Sequence, residues 1–141
     1  LDQRGPAPRP DPVSELRMRI AESLAHNDRD TAAGLYEKLL EMDPSRVLAR
    51  TQQLDVGNQL YTLGRLPQAA AAYEKFLSAY PGSPESDHVR LLLGIIYARD
   101  LQQYEVAEGH LRELLGRLND DRRRQQCQHW LTIAEQAQGK T

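Results

Sequence analysis

Cysteine is almost missing from this chain. Cys127 stands alone among 141 residues, which excludes an internal disulfide and fits either the cytoplasm or the periplasm. Long apolar runs are missing as well. None approaches the roughly 20 residues that cross a bilayer as a helix, so no membrane span is expected. Excess charge of one sign is absent: 18 Lys and Arg stand against 20 Asp and Glu, a net charge of −2. Binding to a polyanion draws on surplus cations, so no nucleic-acid role is expected. Catalytic signatures are lacking too, with no phosphate loop, no HExxH and no GxSxG. His26, His88, His110 and His129 fall in different helices or turns. Cys127 and His129, two apart on a helix, point to different faces. No catalytic residue, cofactor or metal is expected.

What the chain does contain is a phrase written twice. Tyr36, Glu37, Lys38, Leu40 and Pro44 recur as Tyr73, Glu74, Lys75, Leu77 and Pro81, each 37 residues on. A fixed period of this length is the mark of stacked helical hairpins. Residues 1–12, with prolines at 6, 8, 10 and 12, read as a linker or extended arm, because proline lacks the amide donor and disfavours helix before it. The start at Leu1, without a signal-peptide pattern, reads as a fragment of a longer protein, with targeting information or a membrane tether in a preceding region.

From Val13 the apolar residues follow helical spacing. Three hairpins are expected, over about 13–46, 47–83 and 84–119, with a capping helix and tail over 120–141. In the first, Leu16, Ile20 and Leu24 line one helix, and Ala32, Leu35, Tyr36, Leu39 and Leu40 the next, with a turn at Asn27-Asp28. Asp43 is expected to cap the following helix, with Pro44 in its first turn; Ser83 and Pro84 repeat that arrangement later. Gly57 and Gly94, 37 apart, are expected where two helices cross, answered by Ala69 and Ala107, with Tyr36, Tyr73 and Leu111 as bulk. Ala69 to Ala107 spans 38 residues, which places one extra residue in the turn at 101–105. Cys127, Trp130, Leu131 and Ala134 form one apolar stripe on a last helix, which reads as the cap such stacks need for solubility. The run Arg122–Arg124 before that stripe reads as pairing with Asp120, Asp121 and neighbouring glutamates.

At Gly57-x-x-Leu60 … Gly64 … Ala69-x-x-x-Tyr73 … Pro81 the chain resembles the tetratricopeptide repeat family. The resemblance implies an all-α fold, antiparallel helix pairs in a right-handed superhelix with a concave groove. In the first repeat the small residue of the pattern is either Ile20, at the 37-residue offset, or Ala21 with a shorter turn. The stretch from Tyr73 to Ser83, followed by Leu93-Gly94, is similar to bacterial cell-envelope repeats, among them outer-membrane assembly lipoproteins and the periplasmic coordinator of the Tol-Pal system.

The family implies binding of a protein or peptide segment rather than catalysis. Its pattern places the groove on the first helix of each hairpin: Leu54, Asn58, Tyr61 and Thr62 in the second repeat, and His88, Leu91, Ile95 and Arg99 in the third. The first repeat offers Arg17 and Ala21, or Met18 and Glu22, depending on register. The carboxylate clamp of some members needs several Lys, Arg and Asn across three repeats; Arg17, Asn58 and Arg99 fall short of it. The alternative reading is a structural or self-assembling domain, a homo-oligomer among the options, of a larger membrane-anchored bacterial protein.

Overall fold

The computed structural model describes residues 11–140. Within them lie seven α-helices and no strand: α1 (Pro12–Ala25), α2 (Arg29–Met42), α3 (Arg50–Thr62), α4 (Leu66–Ala79), α5 (Ser86–Ile95), α6 (Tyr104–Leu115) and α7 (Asp121–Ala137). A π-helical turn, Ile96–Asp100, extends α5. The chain divides into two compact units at Leu48 and Ala49. The fold is all-α and of tetratricopeptide-like helical repeat type.

The first unit is the hairpin of α1 and α2. Pro12, read with the arm, is the first residue of α1, where its missing amide hydrogen costs nothing. Asp11 caps that helix, its carboxylate accepting from the amides of Val13 (2.9 Å) and Ser14 (3.1 Å); such a cap contributes about 1 kcal/mol. The remainder of the arm lies outside the described residues. Ile20 is fully buried, as are Tyr36 and Leu39, while Ala21 is half-buried. The α1–α2 and α3–α4 turns have equal length, so the register follows the 37-residue offset and Ile20 takes the place of Gly57.

Asp43 does not cap α3. Its carboxylate accepts from the amide (3.2 Å) and hydroxyl (2.7 Å) of Ser45 and from Arg46 Nε (3.1 Å), making a local turn. The helix starts only at Arg50, with Ala49 at the N-cap. Ser83 likewise does not cap α5. Ser86 donates its amide to the Ser83 carbonyl, closing a turn, and α5 begins at Ser86 itself.

In the second unit α3 packs on α4, α4 on α5, α5 on α6, and α7 on both α6 and α5. The two crossing glycines sit where predicted, but their nearest neighbours are Tyr73 and Leu111 rather than alanines. A Cβ on Gly57 would lie 2.9 Å from Tyr73 Cε1; one on Gly94 would lie 2.5 Å from Leu111 Cγ and closer still to its Cδ2. Each glycine lets a large side chain of the partner helix lie on its backbone. Leu93, Leu111 and Leu114 are fully buried around this crossing; each such side chain contributes about 1.5–3 kcal/mol by leaving water.

The hairpin turns share one geometry. Asn27, Gly64 and Gln102 carry positive φ values of 59°, 75° and 53°. In the first two, an amide reaches back five residues, Asp28 to Ser23 and Arg65 to Leu60, the closing bond of a Schellman end. In the third it reaches back six, Gln103 to Tyr97, after Leu101 has bonded to Ile96. The extra residue is therefore absorbed inside the helix end as a π-turn, not in the loop at 101–105.

The last helix covers α6 with Cys127, Leu131 and Ala134, all buried, while Trp130 is half-buried at the rim, edge-on to His129 at 5.1 Å. Cys127 Sγ donates to the Leu111 carbonyl at 3.1 Å. Gly139, at φ 74°, turns the chain so that Lys140 reaches Glu108 on α6 at 2.9 Å. Arg112 and Gln138 also donate to Glu108, each at 3.1 Å. These donors, Lys140 foremost, pull the Glu108 carboxyl down to about 2.

Candidate functional site

The eight groove residues separate into two sets. On α3 and the π-turn, the polar ones are largely engaged with the protein itself. Asn58 Oδ1 accepts from the Tyr73 hydroxyl at 2.6 Å, and burial raises the Tyr73 phenol above its ordinary range. The Asn58 amide keeps its N–H donors but gives its acceptor to Tyr73. Thr62 donates its hydroxyl to the Asn58 carbonyl at 3.0 Å. Arg99 donates to both carboxylate oxygens of Asp100, and its Nη2 reaches the Tyr61 oxygen at 3.2 Å. These bonds, Asp100 first, hold the guanidinium strongly protonated. Leu54 is half-buried on the same helix.

The second set, His88, Leu91 and Ile95, lines a cavity of about 730 Å³ between α5 and α7. Leu91 and Ile95 are only 4% and 6% exposed, so they serve as its floor rather than as a free surface. Leu92, half-buried, completes the apolar base. The opposite wall comes from α7: Arg122, Arg123, Gln125, Gln126 and His129, with Asp120 at its N-cap. None of Leu54, Asn58, Tyr61, Thr62 or Arg99 lines this cavity. Of the first-repeat candidates, Arg17, Met18 and Glu22 are exposed on α1 and Ala21 is half-buried.

The α7 wall was missed in the sequence because that helix reads as a cap with a solvated polar face. A signal was present. His88, Leu91, Leu92 and Ile95 fall at i, i+3, i+4, i+7, and so do Arg122, Gln125, Gln126 and His129. Two such stripes are what facing helices present to one another.

The arginine run also divides. Arg124 pairs with no acid among the described residues; its Nη1 donates to the carbonyls of Leu115 (2.8 Å) and Leu118 (3.0 Å), satisfying the open end of α6. Arg123 Nε stands 3.8 Å from Asp120 Oδ2. The Arg122 guanidinium has no partner among the described residues; only its backbone amide bonds, to Asp120 Oδ1 at 3.0 Å. Burial, and then the positive charge of Arg123, lower the His88 imidazole below its usual value.

A second polar cluster lies across α4, α5 and α6. Arg90 Nη1 stands 3.1 Å from His110 Nδ1, and His110 Nε2 stands 2.6 Å from Glu74 Oε1. Arginine only donates, so Nδ1 accepts and Nε2 carries the hydrogen toward Glu74. Tyr97 stacks on the imidazole at 5.9 Å. Every member has a neighbour within the fold, which makes this an internal strut.

Among the described residues no group of three or more His, Cys, Asp or Glu comes together to hold a metal ion, and no helix is long and apolar enough to cross a membrane. No curated protein matches the chain. Residues 10–132 match the family described as YfiO, outer membrane lipoprotein. That match covers most of the sequence and spans every hairpin above, so the chain belongs to this outer membrane lipoprotein family.

Proposed function

We propose that this chain is a non-catalytic interaction module that holds a segment of a partner protein in the cavity between α5 and α7. The observation that carries the reading is the cavity's construction, an apolar floor of Leu91, Leu92 and Ile95 under a polar, charged α7 wall. A concave site that combines apolar lining with a few polar groups is the usual form of a binding pocket. The earlier groove residues on α3 join this reading as a flanking surface: Tyr61 offers an apolar face with a polar tip, and Leu54 an apolar one. Family membership supports a binding role, since tetratricopeptide-like repeats serve protein contacts.

The test is site-specific photo-crosslinking. A photoreactive residue at Gln126, on the cavity wall, is expected to crosslink a discrete partner in cells. The same residue at Ala71, exposed on α4, is expected to give none. Equal yields from both positions would reject the cavity as the binding site.

The family description, outer membrane lipoprotein, supports a second reading of the setting: the module serves a protein held at that membrane. Fractionation of cells carrying the full-length gene product tests it; recovery wholly outside the membrane fraction rejects it.

A further inference from the structure

We infer that the occupant of the α5–α7 cavity is an internal acidic–apolar segment of a partner protein, an aspartate or glutamate beside a leucine-like side chain, with its carboxylate held at Arg122 and Arg123. This rests on the binding reading above and adds the chemistry of the ligand.

The charge at the mouth decides it. Arg122 and Arg123 line the cavity, and among the described residues Asp120 is the only acidic one lining it. Asp120 already accepts from the Arg122 amide at 3.0 Å and stands 3.8 Å from the Arg123 guanidinium. That carboxylate thus answers at most the Arg123 guanidinium, and Arg122 keeps an unanswered charge among the described residues. This surplus of cation stands on a chain whose net charge is −2, so it is local and not a bulk property. A carboxylate can take two parallel hydrogen bonds from a guanidinium, at about 2.7–2.9 Å, which a neutral amide or an ammonium cannot reproduce.

The floor selects the neighbour of that acid. Leu91, Leu92 and Ile95 offer only hydrocarbon, and an apolar side chain laid on them leaves water at a gain of about 25 cal/mol per Å². Gln125 and Gln126 line the same wall as the arginines. Each amide both donates and accepts, which suits the backbone of a chain passing through rather than a chain end. The cavity, about 730 Å³, holds more than one side chain. His88, lowered by burial and by Arg123, is mainly neutral near pH 7, so the attraction rests on the arginines.

The experiment is fluorescence anisotropy with a labelled peptide of alternating aspartate and leucine, blocked at both ends. Saturable binding is expected, weakened about tenfold when asparagine replaces aspartate and abolished when lysine does. The double variant Arg122→Gln, Arg123→Gln is expected to bind the acidic peptide about tenfold more weakly and no longer to prefer it over the asparagine form. Its thermal melt should match the parent's, because neither guanidinium holds the fold together. Equal affinity for the aspartate and asparagine peptides would overturn the inference without recourse to any variant. So would retention of the chain on phosphatidylglycerol vesicles in preference to the peptide, which would assign the arginines to a lipid surface. If the Gln126 crosslink to a partner persists while both peptides fail to bind, the acid preference falls and the binding reading stands. If the crosslink fails as well, both fall.

Discussion

The second and third hairpins solve one packing problem with different parts. Both bring two helices together over a glycine, Gly57 or Gly94. In one the partner is the flat ring of Tyr73, tethered by its hydroxyl to Asn58; in the other it is the branched Leu111. The third hairpin also carries one residue more, taken up by the π-turn at Ile96–Asp100. A widened helical turn accommodates a single insertion without a break, so α6 still buries Ala107, Leu111 and Leu114. The lesson is that these two hairpins share a side chain laid on a glycine backbone, not a residue pair or a length, while the first hairpin carries Ile20 at that place.

That comparison breaks most visibly at Gly94. Alanine there would set its Cβ inside the Leu111 side chain at a branch point that cannot swing away. Overpacking of this kind costs about 1–3 kcal/mol, set against a gain of about 1 kcal/mol in helix propensity. With approaches this short the cost lies at the top of that range, so Gly94→Ala is expected to be destabilised by up to about 2 kcal/mol net in urea denaturation. On a Leu111→Ala background the same change should become neutral or stabilising. A Gly94→Ala penalty that survives in that background would disprove the crossing argument.

Gly57→Ala sharpens the contrast. The approach is 2.9 Å to a ring edge, which tilting relieves in part, so a loss of about 1 kcal/mol is expected. Tyr73→Phe should give no relief, because ring carbons and not the hydroxyl make the contact; the same denaturation series reads both.

The hairpin turns differ in how well their residue suits positive φ. A left-handed backbone costs most side chains about 1–2 kcal/mol, glycine nothing and asparagine less than most. Gln102→Gly is therefore expected to raise stability by up to about 1 kcal/mol. Asn27→Gly should gain less, and Gly64→Ala should lose about as much as Gln102→Gly gains. Thermal melts of the three variants check that order.

The smallest effect concerns Glu108. Its folded carboxyl lies near 2, below the ordinary 4.5. A depressed acid stabilises the fold above its unfolded value and loses that contribution as pH falls through the folded one. The melting temperature of the parent should drop as pH falls from about 4.5 toward 2. Glu108→Gln should melt lower at neutral pH and show a shallower fall in that window.

The helical architecture was legible because periodicity is repeated. Gly57 and Gly94, Tyr36 and Tyr73, and Asn27 as the counterpart of Gly64 all stand in register. What failed was local polar chemistry. Asp43 and Ser83 look like caps, but each has a nearer partner, Ser45 in one case and the turn to Ser86 in the other. The insertion was counted correctly from Ala69 to Ala107 but assigned to the loop, because sequence spacing does not distinguish a longer loop from a wider helical turn. All eight groove residues come from the family pattern; three of them, His88, Leu91 and Ile95, line the α5–α7 cavity, and no pattern shows that Tyr73 and Asp100 hold hydrogen bonds of Asn58 and Arg99.

Cys127 gives the chain a practical asset. The lone thiol is buried, donates to the Leu111 carbonyl, and is raised above its usual pKa by burial against the opposing pull of Arg124. Reactivity follows the thiolate and its accessibility, so this sulfur is a poor target for maleimide or iodoacetamide. An exposed cysteine introduced at Ala71 or Gln136 would be alkylated well ahead of it. Dyes and spin labels can therefore be attached at one chosen position while the native thiol, and the α6–α7 contact it completes, stay in place.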